Sequence, residues 1–376
     1  MLQGILTVDL TQAMKMRGIR VTFRGKAFVH WTEQHMRGPG ETRHREVRHY
    51  SSKEDYFDHS LVLFGGCISV LLTGTGETNR QFILPPGRYT YPFQFQLPLD
   101  LPSSFEGEHG HVRYWVKGTI EKPWKYDHMT KAVFTVIGVL DLNTVPTATV
   151  PIHGSSQKNL CCMCCASGPI TAMLSIDRRG FVPGEPIPIN AEVVNLANRK
   201  VGCTSVELKM TTSFHTAMKS RSVTRQITKL KHEHIEKGDT DIWNSEPLYI
   251  PSLPPTYLRG CRIMDINYML ELRVDPVGPA FDLSVPVEVL IGTVPIHSSI
   301  QQYVAAHHQH AENTSPPPYA TPPPPNSAHH HHSLLLTTHK ESILGKVSVR
   351  EEDESEYTRG DAYYAPSYTY YMWGTK

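Results

Sequence analysis

The sequence contains no apolar run long enough to cross a lipid bilayer. Its longest run, residues 61–72, has twelve residues and includes two glycines and a serine, whereas a spanning helix needs about 20 apolar residues. The first residues also lack the basic segment of a secretory signal, and Asp9 interrupts the apolar stretch that would follow it. We therefore expect neither a membrane span nor a secretory leader.

The chain also lacks an excess of charge of one sign and a disulfide framework. Lys and Arg total 37 against 36 Asp and Glu, so no overall electric field attracts nucleic acid. The seven cysteines are an odd number, and four of them crowd into residues 161–165. This pattern is typical of reduced thiols, so we expect a cytoplasmic protein.

Signatures of the common enzyme classes are missing as well. The chain has no Gly-x-Ser-x-Gly elbow, Walker loop, His-Glu-x-x-His helix or dinucleotide fingerprint. Its glycines mark turns rather than phosphate-binding loops between a strand and a helix. We therefore expect a protein that is not an enzyme and that uses no cofactor or metal.

Residues 1–296 have the pattern of an all-β protein. β-Branched and aromatic residues alternate with polar ones, and glycine, proline or asparagine bounds each segment. Such segments are residues 19–23, 89–97, 112–120, 133–140, 187–194 and 263–274. Only residues 10–17 resemble a helix, which Gly18 would end. Many short strands without intervening helices predict sandwiches or barrels.

An internal repeat sets the number of domains. The segments LPSSFEG (residues 101–107) and LPPTYLRG (residues 253–260) each precede a strand with tyrosine at its fourth position, Tyr114 and Tyr268. Two copies about 152 residues apart predict two similar β domains. The expected boundaries are residues 1–150 for the first domain, 151–169 for a cysteine-containing linker and 170–296 for the second domain.

The composition changes near residue 297. Only nine of the last 80 residues are Leu, Ile, Val or Phe, which is too few to offset the entropy of ordering the segment. The segment is first rich in proline and histidine, then acidic, and finally aromatic. We therefore expect residues 297–376 to form a disordered tail.

Three stretches and a tail motif occur in one order along the chain. The stretches are RGIRVTFRGKAFVHW (residues 17–31), PPGRYTYPFQFQLPLDLPSSFEGEHGHVRYWVKG (residues 85–118) and SGPITAMLSIDRRGFVPGEPIPINAEVVN (residues 167–195), and the motif is Pro-Pro-x-Tyr. Together they resemble the arrestin-domain-containing proteins, or alpha-arrestins, over residues 2–319. The resemblance implies two tandem arrestin-like sandwiches of the immunoglobulin type.

The resemblance also implies a function. Alpha-arrestins are adaptors that bind membrane receptors or transporters as cargo and recruit HECT-type ubiquitin ligases through the WW domains of the ligases. By this resemblance we expect the chain to promote cargo ubiquitination, endocytosis and sorting, in the cytoplasm and at the plasma membrane and endosomes. The alternative is an arrestin-like sorting scaffold that acts without a ligase.

The first copy of the repeat differs from the second at its start. The second copy has a strand at residues 170–176, a turn at residues 182–185 and a further strand at residues 187–194, whereas the first residues of the chain match only that last strand. We therefore expect the first sandwich to lack its opening strand and to expose an unpaired edge. The chain would then be a fragment or a shortened form, with a first half less stable than its second.

Pro316, Pro317, Pro318 and Tyr319 form the Pro-Pro-x-Tyr motif of the tail. Because proline fixes φ near the polyproline II value, the segment is extended before a partner arrives. It therefore loses little entropy when a WW domain binds it. The alternative is a solubilising proline-rich linker.

Two other segments match this motif in part. Pro366 and Tyr368 follow Ala365, which replaces the first proline, so we expect a weaker second WW ligand there. Residues 254–257 read Pro-Pro-Thr-Tyr, but they lie within the repeat, where Tyr257 aligns with Phe105. We expect Tyr257 to be a buried packing residue, since a buried turn cannot enter a WW groove.

The cluster of Cys161, Cys162, Cys164 and Cys165 has several interpretations. A zinc site normally takes a second pair of ligands from another segment, yet the other three cysteines are isolated in the sequence. Redox chemistry would need a βαβ context. The other interpretations are S-acylation near membrane cargo and inert packing between the domains.

The basic stretch at residues 219–237 contains six Lys and Arg residues, of which five are candidate phosphate ligands: Lys219, Arg221, Arg225, Lys229 and Lys231. Clustered on one surface, they would bind phosphorylated cargo tails or phosphoinositide head groups. The alternative is a pair of solvated strands with outward charges.

Overall fold

The computed structural model describes residues 1–37, 44–65, 81–159, 168–278, 282–312, 336–350 and 354–373. Strands dominate these ranges and form two β-sandwich domains, the N domain and the C domain. A C-terminal segment packs against both of them. The expected all-β fold with two tandem domains is confirmed.

The described residues of the N domain form nine strands: β1 (Leu2–Leu10), β2 (Met14–Met16), β3 (Gly18–Arg37), β4 (His44–Gly65), β5 (Phe82–Leu84), β6 (Gly87–Phe95), β7 (Phe105–Glu106), β8 (Gly110–Glu121) and β9 (His128–Phe134). Strands β9, β8, β3 and β4 lie in this order in one sheet, and β7 pairs with β8. Among the described residues, the opposite layer contains the pair β1–β6 and the short pair β2–β5. The helix-like residues 10–17 therefore contribute to β1 and β2.

In the part of the C domain that the structure describes there are nine further strands: β10 (Ile152–Asn159), β11 (Pro169–Ile176), β12 (Gly180–Phe181), β13 (Pro186–Asn195), β14 (Val201–His215), β15 (Ser220–His232), β16 (Thr240–Tyr249), β17 (Met264–Pro276) and β18 (Leu283–Ile291). One sheet has the order β10-β11-β13-β16 and the other β12-β18-β17-β14-β15. Alternate residues of β13 and β17 are buried between the two sheets, as period-two strands require.

The two repeat tyrosines make the same hydrogen bond in the two domains. The Tyr114 hydroxyl donates to the carbonyl of Pro102 at 2.7 Å, and the Tyr268 hydroxyl donates to the carbonyl of Pro254 at 2.8 Å. Both rings are 0% exposed. The repeat seen in the sequence is thus a repeat in three dimensions, in which a buried tyrosine ties its strand to the preceding Leu-Pro segment.

The connection between the domains lies earlier in the chain than expected, before β10 begins at Ile152. Residues 152–159, placed in a linker by the sequence, form β10 and pair along their whole length with β11, from Ile152 opposite Ile176 to Asn159 opposite Pro169. The side chains alternate between half-buried and exposed, a pattern too short and polar to be recognised as a strand. The cysteine-containing residues 160–167 lie outside the described residues, and in the chain they connect two neighbouring strands of the C domain.

One continuous apolar core extends across both domains. Phe214 of β14 packs edge-on against His109 with ring centroids 5.5 Å apart. A Cβ added to Gly110 would lie 2.9 Å from Met264 Sδ, so the two domains approach closely there. An ion pair between Lys219 and Glu33, 2.7 Å apart, lies at the edge of this interface.

The C-terminal segment contains helix α1 (His297–Glu312) and strands β19 (Thr337–Glu341), β20 (Val347–Ser348), β21 (Thr358–Gly360), β22 (Tyr363–Tyr364) and β23 (Ser367–Tyr371). Strand β19 pairs with β23, β20 pairs with β22, and β21 adds in parallel to β9 of the N domain. In the part of the chain that the structure describes, no helix is long and apolar enough to cross a membrane.

The expectation of a tail without structure needs correction for helix α1 and for residues 336–350 and 354–373. The sequence argument counted aliphatic residues and phenylalanine, but here tyrosine supplies the buried surface. Tyr368 is 1% exposed, and the Tyr371 hydroxyl donates to the carbonyl of Thr293 at 2.7 Å. A tyrosine ring buries a large apolar area while its hydroxyl meets a backbone acceptor, so a segment poor in Leu and Val can still dock.

Candidate functional site

The motif Pro316, Pro317, Pro318 and Tyr319 lies outside the described residues, between α1 and β19. Next to α1, Ile296 is 4% exposed and anchors the start of the helix. Near β19, the Ser252 hydroxyl donates to the carbonyl of Lys340 at 2.7 Å. The elements on both sides of the motif are therefore anchored to the sandwiches.

Tyr368 is buried, in contrast to its interpretation with Pro366 as a second WW ligand. Its hydroxyl donates to the backbone carbonyl of Ser104 at 2.9 Å, and burial raises its pKa well above 10. The carbonyl of Pro366 accepts a hydrogen bond from the backbone N–H of Ser342. A WW domain needs an exposed tyrosine ring, so this segment cannot bind one while it is docked.

A close backbone contact at Gly184 holds the end of the same segment. The Tyr371 N–H donates to the carbonyl of Pro183 at 3.0 Å. A Cβ added to Gly184, which has a φ of +93°, would overlap the carbonyl oxygen of Tyr371. Only glycine allows both the backbone conformation and the approach. Matching short sequence motifs could not predict this contact. The aromatic residues at the end of the chain were the only sign in the sequence that this segment packs against the domains.

Two buried ion pairs lie where the C-terminal segment docks on the N domain. Lys131 of β9 has a side chain 3% exposed, pairs with Glu354 and donates to the carbonyl of Val349. The Arg113 Nε donates to Glu106 Oε1 at 2.6 Å, and burial raises the pKa of that carboxyl although Arg113 opposes it. Removing one partner of a buried pair leaves an uncompensated charge, so the C-terminal segment completes the environment of Lys131.

The Pro-Pro-Thr-Tyr segment of the repeat is structural, but not through its tyrosine. Pro254 and Pro255 are buried, so they are closed to a WW groove. Tyr257 is 42% exposed with a φ of +69°, whereas Phe105 and Leu258 are 0% exposed. The expectation of a buried Tyr257 is therefore wrong. The second copy has one residue more than the first, which moves the aromatic out and brings Leu258 in.

The cysteines Cys161, Cys162, Cys164 and Cys165 lie outside the described residues, so S-acylation there stays a prediction. Within the described ranges, Cys203 and Cys261 are free thiols and no three His, Cys, Asp or Glu side chains are grouped to hold a metal ion. Burial raises the pKa of the Cys261 thiol, which makes it less reactive.

The basic residues of strand β15 do not share one face. A β-bulge opposite the step from Leu208 to Lys209 changes the side to which the side chains point. Before the bulge, Arg221 and Arg225 lie opposite the buried Phe214 and Met210. After it, Lys229 and Lys231 lie opposite Glu207 and Ser205, on the other face of the sheet.

Several of these cations also have carboxylate partners. Lys219 Nζ is 2.7 Å from Glu33, and Lys229 Nζ is 2.7 Å from Glu207, whose side chain is 1% exposed. Arg225 lies 3.9 Å from Glu108. Cations divided between two faces and partly neutralised do not form one phosphate site, so the structure favours the alternative of a solvated strand.

His232, at the end of β15, is expected to make the stability of the C domain depend on pH. Its Nδ1 lies 2.8 Å from Asp241 Oδ1, its Nε2 lies 2.9 Å from Glu246 Oε1, and its ring stacks on Trp243. Burial lowers its pKa, but hydrogen bonds to the two carboxylates outweigh burial and raise it above 6.5. Because the folded state binds this proton more tightly than the unfolded state, we expect the free energy of unfolding to fall between about pH 6 and about pH 8.

Urea unfolding at the two pH values measures this effect. His232→Gln should show a smaller fall than the parent, while His153→Gln, at an exposed position of β10, should behave like the parent. An equal pH dependence in His232→Gln and the parent would show that another group is responsible.

Comparison with known proteins agrees with the two domains seen in the structure. Residues 1–143 match the profile of "Arrestin (or S-antigen), N-terminal domain". Residues 166–296 match that of "Arrestin (or S-antigen), C-terminal domain". These bounds correspond to the two sandwiches and leave the C-terminal segment outside both profiles.

Several curated proteins are similar over both domains. Arrestin domain-containing protein 17 of Caenorhabditis elegans is 31% identical over 301 residues, 78% of this chain and 66% of that protein. Arrestin domain-containing protein 4 of Homo sapiens is 32% identical over 293 residues, with the same two shares. Thioredoxin-interacting protein of Homo sapiens is 27% identical over 281 residues, 73% of this chain and 66% of that protein.

The chain spans about two thirds of the length of these relatives. The two arrestin profiles follow each other in family order, and the identities above 30% extend across both domains. The chain therefore belongs to the arrestin-domain-containing proteins, the alpha-arrestin family.

Proposed function

We propose that this alpha-arrestin is a non-catalytic adaptor that joins membrane cargo to HECT-type ubiquitin ligases carrying WW domains. The observation that carries the proposal is the position of the Pro-Pro-Pro-Tyr motif at residues 316–319. It belongs to the connection between α1 and β19, and both of these elements are anchored to the arrestin domains.

The position of the motif suits recruitment for a physical reason. The prolines favour the extended conformation that a WW groove accepts, so binding loses little conformational entropy. Anchorage on both sides keeps a bound ligase within a short chain length of the two domains. Cargo held by those domains is then exposed to the ligase at a high effective concentration.

We assign cargo binding to the arrestin domains and expect the cargo to be receptors or transporters. Ubiquitination of such cargo would direct its endocytosis and sorting, which places the adaptor in the cytoplasm, at the plasma membrane and on endosomes. The alternative is a sorting scaffold that works without a ligase. The Pro-Pro-x-Tyr motif favours the adaptor, because a scaffold alone has no use for it.

Replacing Tyr319 with alanine is expected to weaken binding of tandem WW domains by at least about tenfold, or ~1.4 kcal/mol. The change empties the pocket that receives the tyrosine ring. Titration of the purified full chain with tandem WW domains measures the affinity, and a thermal melt checks that folding is unchanged. Cargo ubiquitination in cells should fall with the affinity.

Tyr257→Ala is the matched control, because residues 254–257 have the same motif letters with buried prolines. This variant should keep the affinity of the parent. If Tyr319→Ala binds as the parent does while folded Tyr257→Ala fails to bind, the ligase contacts the C domain and the assignment of the tail motif is wrong.

A further inference from the structure

Residues 365–368 keep part of the chemistry of the Pro-Pro-Pro-Tyr motif at residues 316–319. They read Ala-Pro-Ser-Tyr, so both segments have a proline two residues before a tyrosine. A WW domain accepts such rings from an extended backbone. Strand β23 begins at Ser367, so the segment is already extended. With alanine in place of the first proline, the sequence suits a weaker WW ligand.

The groups that a WW domain would contact face the interior of the protein. Ala365, Pro366 and Tyr368 are all buried. The Tyr368 hydroxyl donates to the carbonyl of Ser104 at 2.9 Å, and the backbone N–H of Ser367 donates to the Thr135 hydroxyl at 3.2 Å. Docking on the N domain therefore uses the same ring and the same backbone as WW binding. The two contacts exclude each other.

Further contacts on both sides of residues 365–368 hold the segment in place. Before them in the chain, Glu354 pairs with the buried Lys131 of the N domain. After them, the Tyr371 hydroxyl donates to the carbonyl of Thr293 in the C domain at 2.7 Å. Because these contacts lie outside residues 365–368, the segment can be released without altering the ligand itself.

We propose that residues 365–368 are a second WW ligand, the concealed ligand, which binds a WW domain only when the C-terminal segment is released from the two sandwiches. This inference rests on the proposed function, since it takes its partner, a ligase with several WW domains, from there. Tyr319 and Tyr368 are 49 residues apart. An extended chain of that length reaches roughly 160 Å, so the two tyrosines can occupy neighbouring WW domains.

The concealed ligand makes the affinity for a ligase depend on docking. In the released state a tandem pair of WW domains binds two ligands of one chain, and the second contact adds avidity. A single WW domain gains no such advantage. By linkage, any partner that favours the released state raises the affinity for the tandem pair by the same factor as the tandem pair raises the affinity for that partner.

A free peptide tests whether the concealed ligand binds when nothing covers it. The probe is residues 361–372, DAYYAPSYTYYM, titrated with a single WW domain of a HECT-type ligase. We expect saturable binding that is at least tenfold weaker for the same peptide with Tyr368→Ala. The full chain with Tyr319→Ala contains this sequence in its docked form and should bind the single WW domain at least tenfold more weakly than the peptide.

A release variant tests the effect of docking in the full chain. It carries Glu354→Gln, which removes the carboxylate that pairs with Lys131, and Tyr371→Ala, which removes the hydrogen bond to Thr293. The matched control carries Glu356→Gln and Tyr363→Ala, at exposed positions of the same segment. Tryptic cleavage after Arg359 should accelerate only in the release variant, and a thermal melt checks that the sandwiches stay folded.

Titration with tandem WW domains then gives the decisive comparison. The release variant should bind the tandem pair at least tenfold more tightly than the parent and the matched control, while its affinity for a single WW domain stays within about twofold of theirs. Adding Tyr368→Ala to the release variant should return the tandem affinity to the parent value, although the segment remains released.

Three results would overturn the proposal. The first is a free peptide that does not bind, or that binds equally well with Tyr368→Ala. The second is an unchanged tandem affinity in a release variant whose cleavage has accelerated. The third is a gain in affinity that survives Tyr368→Ala, because release would then act on residues 316–319 instead.

The release variant with Tyr319→Ala separates this inference from the proposed function. It should still bind a single WW domain, and Tyr368→Ala should abolish that binding. If the parent binds no WW domain but this variant does, the role assigned to residues 316–319 is wrong and the concealed ligand stands. If the parent binds and this variant does not, the concealed ligand is wrong and the proposed function stands.

Discussion

Replacing Tyr268 with alanine is expected to lower the free energy of unfolding of the C domain by about 3–5 kcal/mol. The ring is 0% exposed, and its hydroxyl donates to the carbonyl of Pro254 at 2.8 Å. Burial raises the pKa of this hydroxyl well above 10, so it remains a donor. Because the whole free energy of unfolding of a domain is only about 5–15 kcal/mol, this loss is a large share of it. Urea unfolding of the full chain measures it.

Tyr268→Phe separates the hydrogen bond from the packing of the ring. This variant keeps the ring but leaves the carbonyl of Pro254 without its donor, at an expected cost of about 1–3 kcal/mol. Tyr114→Phe should cost a similar amount in the N domain, because Tyr114 makes the equivalent bond to Pro102. If Tyr268→Phe is as destabilising as Tyr268→Ala, the lost hydrogen bond and not the cavity left by the ring accounts for the loss of stability.

Replacing Tyr368 with alanine is expected to release the end of the C-terminal segment from the sandwiches. The ring is 1% exposed and its hydroxyl is bonded to Ser104 of the N domain. Removing a buried aromatic ring costs about 3–5 kcal/mol, which is more than about a hundredfold in the docking equilibrium. Where opening is fast, proteolysis follows the population of the open form. Tryptic cleavage after Arg359 should therefore accelerate by a similar factor.

Tyr363→Ala is the matched control, since Tyr363 lies in the same segment and is 70% exposed. It should be cleaved at the rate of the parent. Equal rates of cleavage after Arg359 in Tyr368→Ala and in the parent would mean that other contacts, such as the pair of Lys131 with Glu354, hold the segment without this ring. The thermal melt of the two sandwiches should change little in either variant.

Local sequence patterns were sufficient for the two-domain fold. Alternation of apolar and polar residues identifies β-strands because each strand buries one face. The repeat around Tyr114 and Tyr268 identifies two domains because each tyrosine is buried in its own domain and makes the same hydrogen bond there. Strand β10 was missed because its residues alternate without strongly apolar side chains, so only its pairing with β11 defines it.

The candidate site could be predicted only where it depends on a linear motif. The residues Pro316, Pro317, Pro318 and Tyr319 are recognisable because a WW domain binds a short extended segment. Tyr368 matched the same motif in part, but whether its ring is exposed depends on a surface that is distant in sequence. The basic stretch could not be resolved in advance either, because a single bulge in β15 divides its cations between two faces.

The sequence by itself determined the all-β class, the number of domains and the position of the Pro-Pro-x-Tyr motif, since each depends on residues close together in the chain. The tertiary structure decided that the end of the chain docks on both sandwiches and that Tyr257 is exposed while Leu258 is buried. Those features depend on which surfaces meet across long separations, such as the bond between Tyr368 and Ser104. Burial of that kind is a property of the assembled fold, and no local pattern encodes it.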